Sequence, residues 1–411
     1  MDAVKTNDAA AVRQLLGAHG AQLKPALSYT IPGWAFGETP LIAAVRVRNR
    51  EIVELLLDAG ADLNERTKWW AGGFGVLDEA AGDLAFADYL IARGAVVDVH
   101  AAARLGWMER LRELMGKNAA LVNARGGDGM LPLHVASSVE IARYLVESCG
   151  ADINACDVDH ESTAAQYMVR DRQEIARYLV ARGCRTDILL AAALGDAELV
   201  EKHLAADPEA IHTCVSRRYF PMKDTRAGGS IYIWTLGARK TAHQVAHEFG
   251  HSAIYESLMA RSPKGLRLAM ACELGDDAAV RSLAGSSDLT ADDHARLVNA
   301  ARINDTAKVR LMVGAGFHVD ALDDGATALH WAAFHGNAPM AEVLLDHGAP
   351  LDLADGNHGG TPLEWASYGS VNSWLCQSGT YPAVVDLLLG RGAKIPASIG
   401  DMLDDAKARL K

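Results

Sequence analysis

The chain has 411 residues, 40 of them basic and 52 acidic, for a formal net charge of −12. Half the residues are hydrophobic and 22% are charged, which excludes long disorder. The acidic balance excludes a dedicated nucleic-acid binder, because such proteins need basic surface to displace counterions. No run of 18 apolar residues occurs, so neither a transmembrane helix nor membrane association is expected. The opening MDAVKTNDAAAVRQLL lacks the basic-then-apolar layout of a signal peptide. Cys149, Cys156, Cys184, Cys214, Cys272 and Cys376 are too sparse for a disulfide framework. They read as free thiols in a reduced cytoplasmic protein, acting as small buried hydrophobes.

Along the chain, a phrase ending in glycine recurs at Gly60, Gly94, Gly150, Gly183, Gly316, Gly348 and Gly392. The gaps are 34, 56, 33, 133, 32 and 44 residues, so three lie close to 33 and 133 is four such units plus one. A fixed period of this size marks a repeat array. Residues 37–64, GETPLIAAVRVRNREIVELLLDAGADLN, parse as turn, short helix, tight turn, longer helix and glycine. Thr39 is placed to cap the first helix. Pro40 sits in the first turn, where a missing N–H costs nothing. Gly60 follows the second helix, where positive φ is needed. Residues 325–352 repeat the layout with Thr327 and Gly348. There Leu329, Ala332 and Ala333 share one helix face, and Met340, Val343, Leu344 and Leu345 share another.

Four segments break the period: 21–36, 65–75, 213–237 and 370–382. They hold twelve of the twenty-five aromatics in about 65 residues. Trp34 lies in the first, Trp69 and Trp70 in the second, Tyr219, Phe220, Tyr232 and Trp234 in the third, and Trp374 in the fourth. Aromatics and arginines are the usual anchors of recognition surfaces, and loops carry function on rigid scaffolds. Residues 214–240 are also basic, with Arg217, Arg218, Lys223, Arg226, Arg239 and Lys240 against Asp224 alone. The alternation in 230–234, SIYIW, predicts a β-hairpin. The expected result is a finger presenting Arg217, Arg218, Tyr219 and Phe220 to an anionic or acidic-peptide ligand. The competing expectation is that the insertions bury their aromatics in local mini-cores.

Residues 247–251, HEFGH, match H-E-x-x-H, with Glu273 downstream in the place of a third zinc ligand. The repeat period gives another reading. Gly250 ends one helix and His251 opens the next turn, which takes His251 off the face of His247, so no metal is expected. The glycine runs 71–75 and 227–230 lack the Lys-Ser/Thr of a phosphate-binding loop, and no G-x-S-x-G elbow occurs. The Asp-rich stretches 157–161 and 320–325 have the wrong spacing for a calcium loop and read as turn linkers. No cofactor is expected.

TPLIAA (39–44), LPLHVA (131–136), TAHQVA (241–246), TALHWA (327–332) and TPLEWA (361–366) are similar to the T-P-L-H-x-A of the 33-residue ankyrin repeat. The resemblance covers nearly the whole chain. It implies an all-α solenoid of about twelve stacked helix-turn-helix units with β-hairpin fingers. The implied division is 1–212 for the N-terminal repeats and 213–237 for the basic aromatic finger. Residues 238–396 hold the C-terminal repeats, and 397–411 form a capping helix. His134 and His330 are implied to hydrogen-bond between neighbouring loops, and Trp331 and Trp365 are expected in the core.

The functional expectation is a monomeric, non-enzymatic scaffold for a protein or peptide, an acidic one at the basic finger. Its concave face would act together with Trp34, Trp69, Trp70, Arg217, Arg218, Tyr219, Phe220, Tyr232, Trp234 and Trp374. The alternative is an enzyme or small-molecule receptor whose pocket is walled by 65–75 and 213–237.

Overall fold

The computed structural model describes residues 1–30, 35–285 and 288–396. The phrase at 37–64 folds as it reads. The Thr39 hydroxyl accepts the Ile42 N–H at 3.4 Å, and Asn49 caps the next helix by accepting the Ile52 N–H at 3.0 Å. Gly60 then takes φ +96°, Gly94 +103° and Gly348 +86°, the left-handed turn that only glycine enters freely. Such a repeat thus becomes two helices joined by a tight turn.

The chain divides into two compact units, and the insertion 213–237 belongs to the first. In the first unit the pairs include Pro40–Arg46 with Arg50–Asp58, Val99–Leu105 with Met108–Lys117, Ala164–Tyr167 with Gln173–Ala181, and Ile188–Leu194 with Ala197–Ala206. In the second they include Ala242–Glu248 with Ser252–Arg261, Ala291–Arg302 with Thr306–Gly314, Ala328–Phe334 with Ala338–Asp346, and Pro362–Asn372 with Tyr381–Gly390. First helices are rich in alanine on their buried side, as at Ala191, Ala192 and Ala193, all inaccessible to solvent. Small side chains let successive helices approach closely, and each pair buries the face its neighbour leaves open. No helix among the described residues is long and apolar enough to cross a membrane.

The loop histidines stitch neighbouring repeats, as the resemblance implied. His134 Nδ1 accepts the Leu131 N–H at 3.2 Å, so Nε2 carries the proton and donates to Ser162 O at 3.1 Å. His330 repeats this, with Thr327 N–H at 3.1 Å and Gly360 O at 3.2 Å. Burial lowers the His134 pKa to about 4, which keeps the ring neutral for this bridge.

Two expectations need correction. The segment 230–234 is not a hairpin. Gly229 turns the chain at φ +90°, and Tyr232–Thr235 is a short helix closed by Leu236 N–H to Tyr232 O at 2.8 Å. Among the described residues, strand pairing is limited to two isolated bridges, Cys156–Thr163 and Asp323–Ala326. A short apolar run fits either period, and here no neighbouring strand offers an edge. Trp331 and Trp365 are half-buried rather than core. Trp34 and the expected capping helix 397–411 lie outside the described residues. All six cysteines are free, with Cys184, Cys214 and Cys272 buried.

Candidate functional site

The insertion 65–75 closes on itself through Thr67 N–H to Phe74 O at 2.8 Å and Phe74 N–H to Thr67 Oγ1 at 2.9 Å. Phe36 meets Trp69 edge-on at 5.0 Å and Phe74 at 5.4 Å, and Trp69 lies 6.4 Å from Trp70. Both tryptophans are half-buried, and their buried indole N–H groups close no hydrogen bond. The glycines of AGGFG are explained by close approach. Gly72 O accepts the Asp128 N–H at 3.2 Å, and a Cβ on Gly72 would stand 2.1 Å from Gly126 O. Gly72→Ala, already strained at φ +141°, is therefore expected to push the loop off this turn at a cost of about 1–3 kcal/mol. A lowered urea midpoint with faster exchange of the Asp128 amide would be the signature, and an unchanged Asp128 amide would refute it.

The insertion 213–237 is the larger. Its ends are tied by Arg239 N–H to Val215 O at 2.8 Å and Val215 N–H to Lys240 O at 2.9 Å. It does not project as a free finger but lies over the turn 157–163 of an earlier repeat. Glu161 Oε1 accepts the N–H groups of Lys223 and Asp224, each at 2.8 Å. Asp159 O accepts the Gly228 N–H at 3.0 Å, and Ser162 Oγ accepts the Ile231 N–H at 3.1 Å. Tyr232 is wholly buried, meets Phe220 edge-on at 5.3 Å, and donates its hydroxyl to Asp187 Oδ2 at 2.9 Å. It is therefore a packing residue and not an exposed anchor. Arg217 and Arg218 are exposed, Tyr219 and Phe220 are half-buried, and Trp234 is 72% exposed. The local mini-core is real at Cys214, Val215, Ile231, Tyr232 and Leu236, all buried.

The two insertions meet. The Arg226 guanidinium lies 4.3 Å from the Trp70 ring centroid, a cation–π contact. Beneath the insertions, Asp128, Asp159 and His160 converge from the turns of two successive repeats. His160 Nδ1 donates to Gly229 O at 2.8 Å, and its Nε2 stands 3.8 Å from Asp128 Oδ2 and 3.7 Å from Asp159 Oδ2. Burial pushes the Asp128 carboxyl up to about 6. His160 opposes the rise, Asp159 and Asp157 add to it, and the Trp69 N–H opposes it without closing a normal hydrogen bond. Burial likewise raises Asp157, which accepts the N–H groups of His160 and Ser162, each at 2.7 Å. Beside this cluster an open cleft of about 830 Å³ is lined by Asp157, Glu161, Arg185, Pro221, Lys223 and Asp224, among others.

Sequence reasoning passed over this triad. DVDH at 157–160 read as a turn linker, and Asp128 stood alone in GGDG. The glycine-dense turns around them were the one available sign of close backbone approach.

In the second unit, Trp374 is 65% exposed and packs 4.8 Å from His335 and 5.5 Å from Phe334. Trp331 and Trp365 meet edge-on at 5.1 Å in the same cluster, and Trp365 Nε1–H donates to Asp355 Oδ2 at 3.0 Å. HEFGH is divided as the repeat period implied. The helix Ala242–Glu248 ends, Gly250 turns at φ +78°, and His251 is the N-cap of Ser252–Arg261. Glu273 is buried against Lys308 at 3.1 Å and Arg296 at 3.9 Å.

Comparison with known proteins places this architecture. A family model described as ankyrin repeats, three copies, matches residues 1–101, 99–189 and 297–398. Potassium channel AKT1 of Oryza sativa subsp. indica is 62% identical over 39 residues, 10% of this chain and 4% of that protein. Palmitoyltransferase Hip14 of Drosophila melanogaster is 35% identical over 72 residues, 17% of this chain and 11% of that protein. Palmitoyltransferase ZDHHC17 of Homo sapiens is 31% identical over 97 residues, 23% of this chain and 15% of that protein. The chain thus spans only a small fraction of the length of these relatives. The family match covers well over half of the chain and coincides with helix pairs, glycine turns and bridging histidines, so this protein belongs to the ankyrin-repeat family.

Proposed function

We propose that the protein is a non-enzymatic binding scaffold that holds a protein or peptide partner, with the insertions 65–75 and 213–237 as the recognition surface of the first unit. The observation that carries this reading is the contrast within one insertion. Tyr232 anchors its base in the core, while Arg217, Arg218 and Trp234 are held exposed beside it. A pinned loop loses little entropy on binding, and Trp and Arg are the side chains that supply most interface energy. The exposed arginines suit carboxylates, so the partner surface is acidic. Trp374 with the half-buried Trp331 and Trp365 supports a second contact of the same kind on the second unit.

The alternative, a small-molecule receptor, is favoured by one observation, the 830 Å³ cleft bordered by Pro221, Lys223 and Asp224 of the larger insertion. The test compares capture of partners by the whole chain and by an Arg217→Ala/Arg218→Ala/Trp234→Ala variant. Loss of an anchor costs about 2 kcal/mol, or roughly thirtyfold in affinity. The variant should lose capture and retain the wild-type melting curve, and wild-type capture should weaken as salt rises. Undiminished capture by the variant would reject the surface.

A further inference from the structure

We propose that Asp128, Asp159 and His160 form a site for one divalent transition-metal ion of the zinc class. Their ligand atoms all lie within 4.8 Å of one another. Ligands about 2.0–2.1 Å from a tetrahedral zinc ion stand roughly 3.4 Å apart. The separations of His160 Nε2 from the two carboxylates, 3.7 and 3.8 Å, exceed that by only a few tenths.

The histidine is prepared for this role. Its Nδ1–H is spent on Gly229 O, which turns Nε2 toward both carboxylates. A backbone carbonyl behind a ligating imidazole is the usual outer-shell arrangement of metal sites.

Asp128 is 9% exposed, and its Oδ1 is buried without a closed hydrogen bond, the Trp69 N–H being set against the carboxyl without closing one. Buried carboxylate oxygens are otherwise almost always satisfied. Asp159 is 3% exposed and His160 7%, so water does not readily screen the two like charges. Arg125 and Arg226 are engaged elsewhere. Arg125 donates to Gly129 O and Cys156 O, and Arg226 pairs with Asp224 at 2.7 Å. The backbone closes over the triad at Gly228, where a Cβ would stand 3.3 Å from Asp159 Oδ2 and 3.4 Å from His160 Cε1. One imidazole with two carboxylates suits zinc-class ions, whereas calcium requires six to eight oxygens. Three protein ligands leave a fourth position for water. The bound ion would tie the turns of two repeats to the roof supplied by 213–237.

The test uses the full chain, stripped with a chelator and titrated calorimetrically with Zn²⁺, with Co²⁺ absorption as a coordination signature. The expected result is one ion per chain. Asp128→Asn and Asp159→Asn should each weaken binding about 100-fold or more, while both still melt cooperatively without metal. A His247→Ala/His251→Ala variant should bind as wild type, and Zn²⁺ should slow amide exchange across 213–237. The proposal is overturned if the wild type shows no saturable binding. It is equally overturned if binding survives both Asn variants, or disappears in the His247/His251 variant.

Discussion

Tyr232→Ala is expected to destabilise the first unit by about 3–5 kcal/mol, the range for emptying a buried aromatic site. The ring is wholly buried, packs edge-on against Phe220, and supplies the hydroxyl proton received by Asp187 Oδ2. Asp187 is half-buried and held above the usual carboxylate range by desolvation, so removing a donor leaves a poorly satisfied group behind. Trp234, two residues on and 72% exposed, provides the internal control. Trp234→Ala should shift stability by no more than about 0.5 kcal/mol. Urea unfolding of the full chain, with amide exchange read over 213–240, separates the two. A Tyr232→Ala protein that unfolds at the wild-type midpoint with protected 213–240 amides would show that the insertion is held by its other ties. The same geometry rules out deleting the whole insertion as a clean test of binding. Such a deletion would uncover Asp159, Ser162 and Asp187, all buried beneath it or bonded to it.

In metal-free protein, Asp128→Asn should stabilise the fold at pH 7 by up to about 3 kcal/mol, taking about 1.4 kcal/mol per pKa unit. The carboxyl titrates near 6 in the fold and near 3.8 when free. Below about pH 4 it is protonated in both states and costs nothing. Between pH 4 and 6 the unfolded chain ionises first, so the native state binds more protons and stability falls as pH rises. Above pH 6 the buried charge carries its full penalty, facing Asp159 and Asp157 with only His160 and the Trp69 N–H opposing. The variant's advantage should therefore be largest at pH 7 and vanish by pH 4. Asparagine also suits φ +54° at this position. A lower melting temperature for Asp128→Asn at pH 7 would show that the carboxylate makes a bond its amide cannot replace.

Contacts within a repeat or between adjacent ones are legible in the amino-acid order. The 33-residue glycine spacing, the cap at Thr39, the division of HEFGH at Gly250 and the bridges made by His134 and His330 all repeat locally. Their physics is therefore complete within a few dozen residues. The direction of each side chain in 213–237 was not legible, because SIYIW alternates as a strand would and no local rule says which neighbour it meets. Long-range packing alone turns Tyr232 in and Trp234 out, brings Arg226 to Trp70, and leaves Trp331 and Trp365 half-buried around Trp374. It also brought Asp128 to His160 and laid Gly229 behind that histidine's ring. His160 and Gly229 are 69 residues apart in the chain. An insertion has no repeating partner, so its side chains are placed by whichever distant turn it covers, and that contact leaves no periodic trace in the sequence.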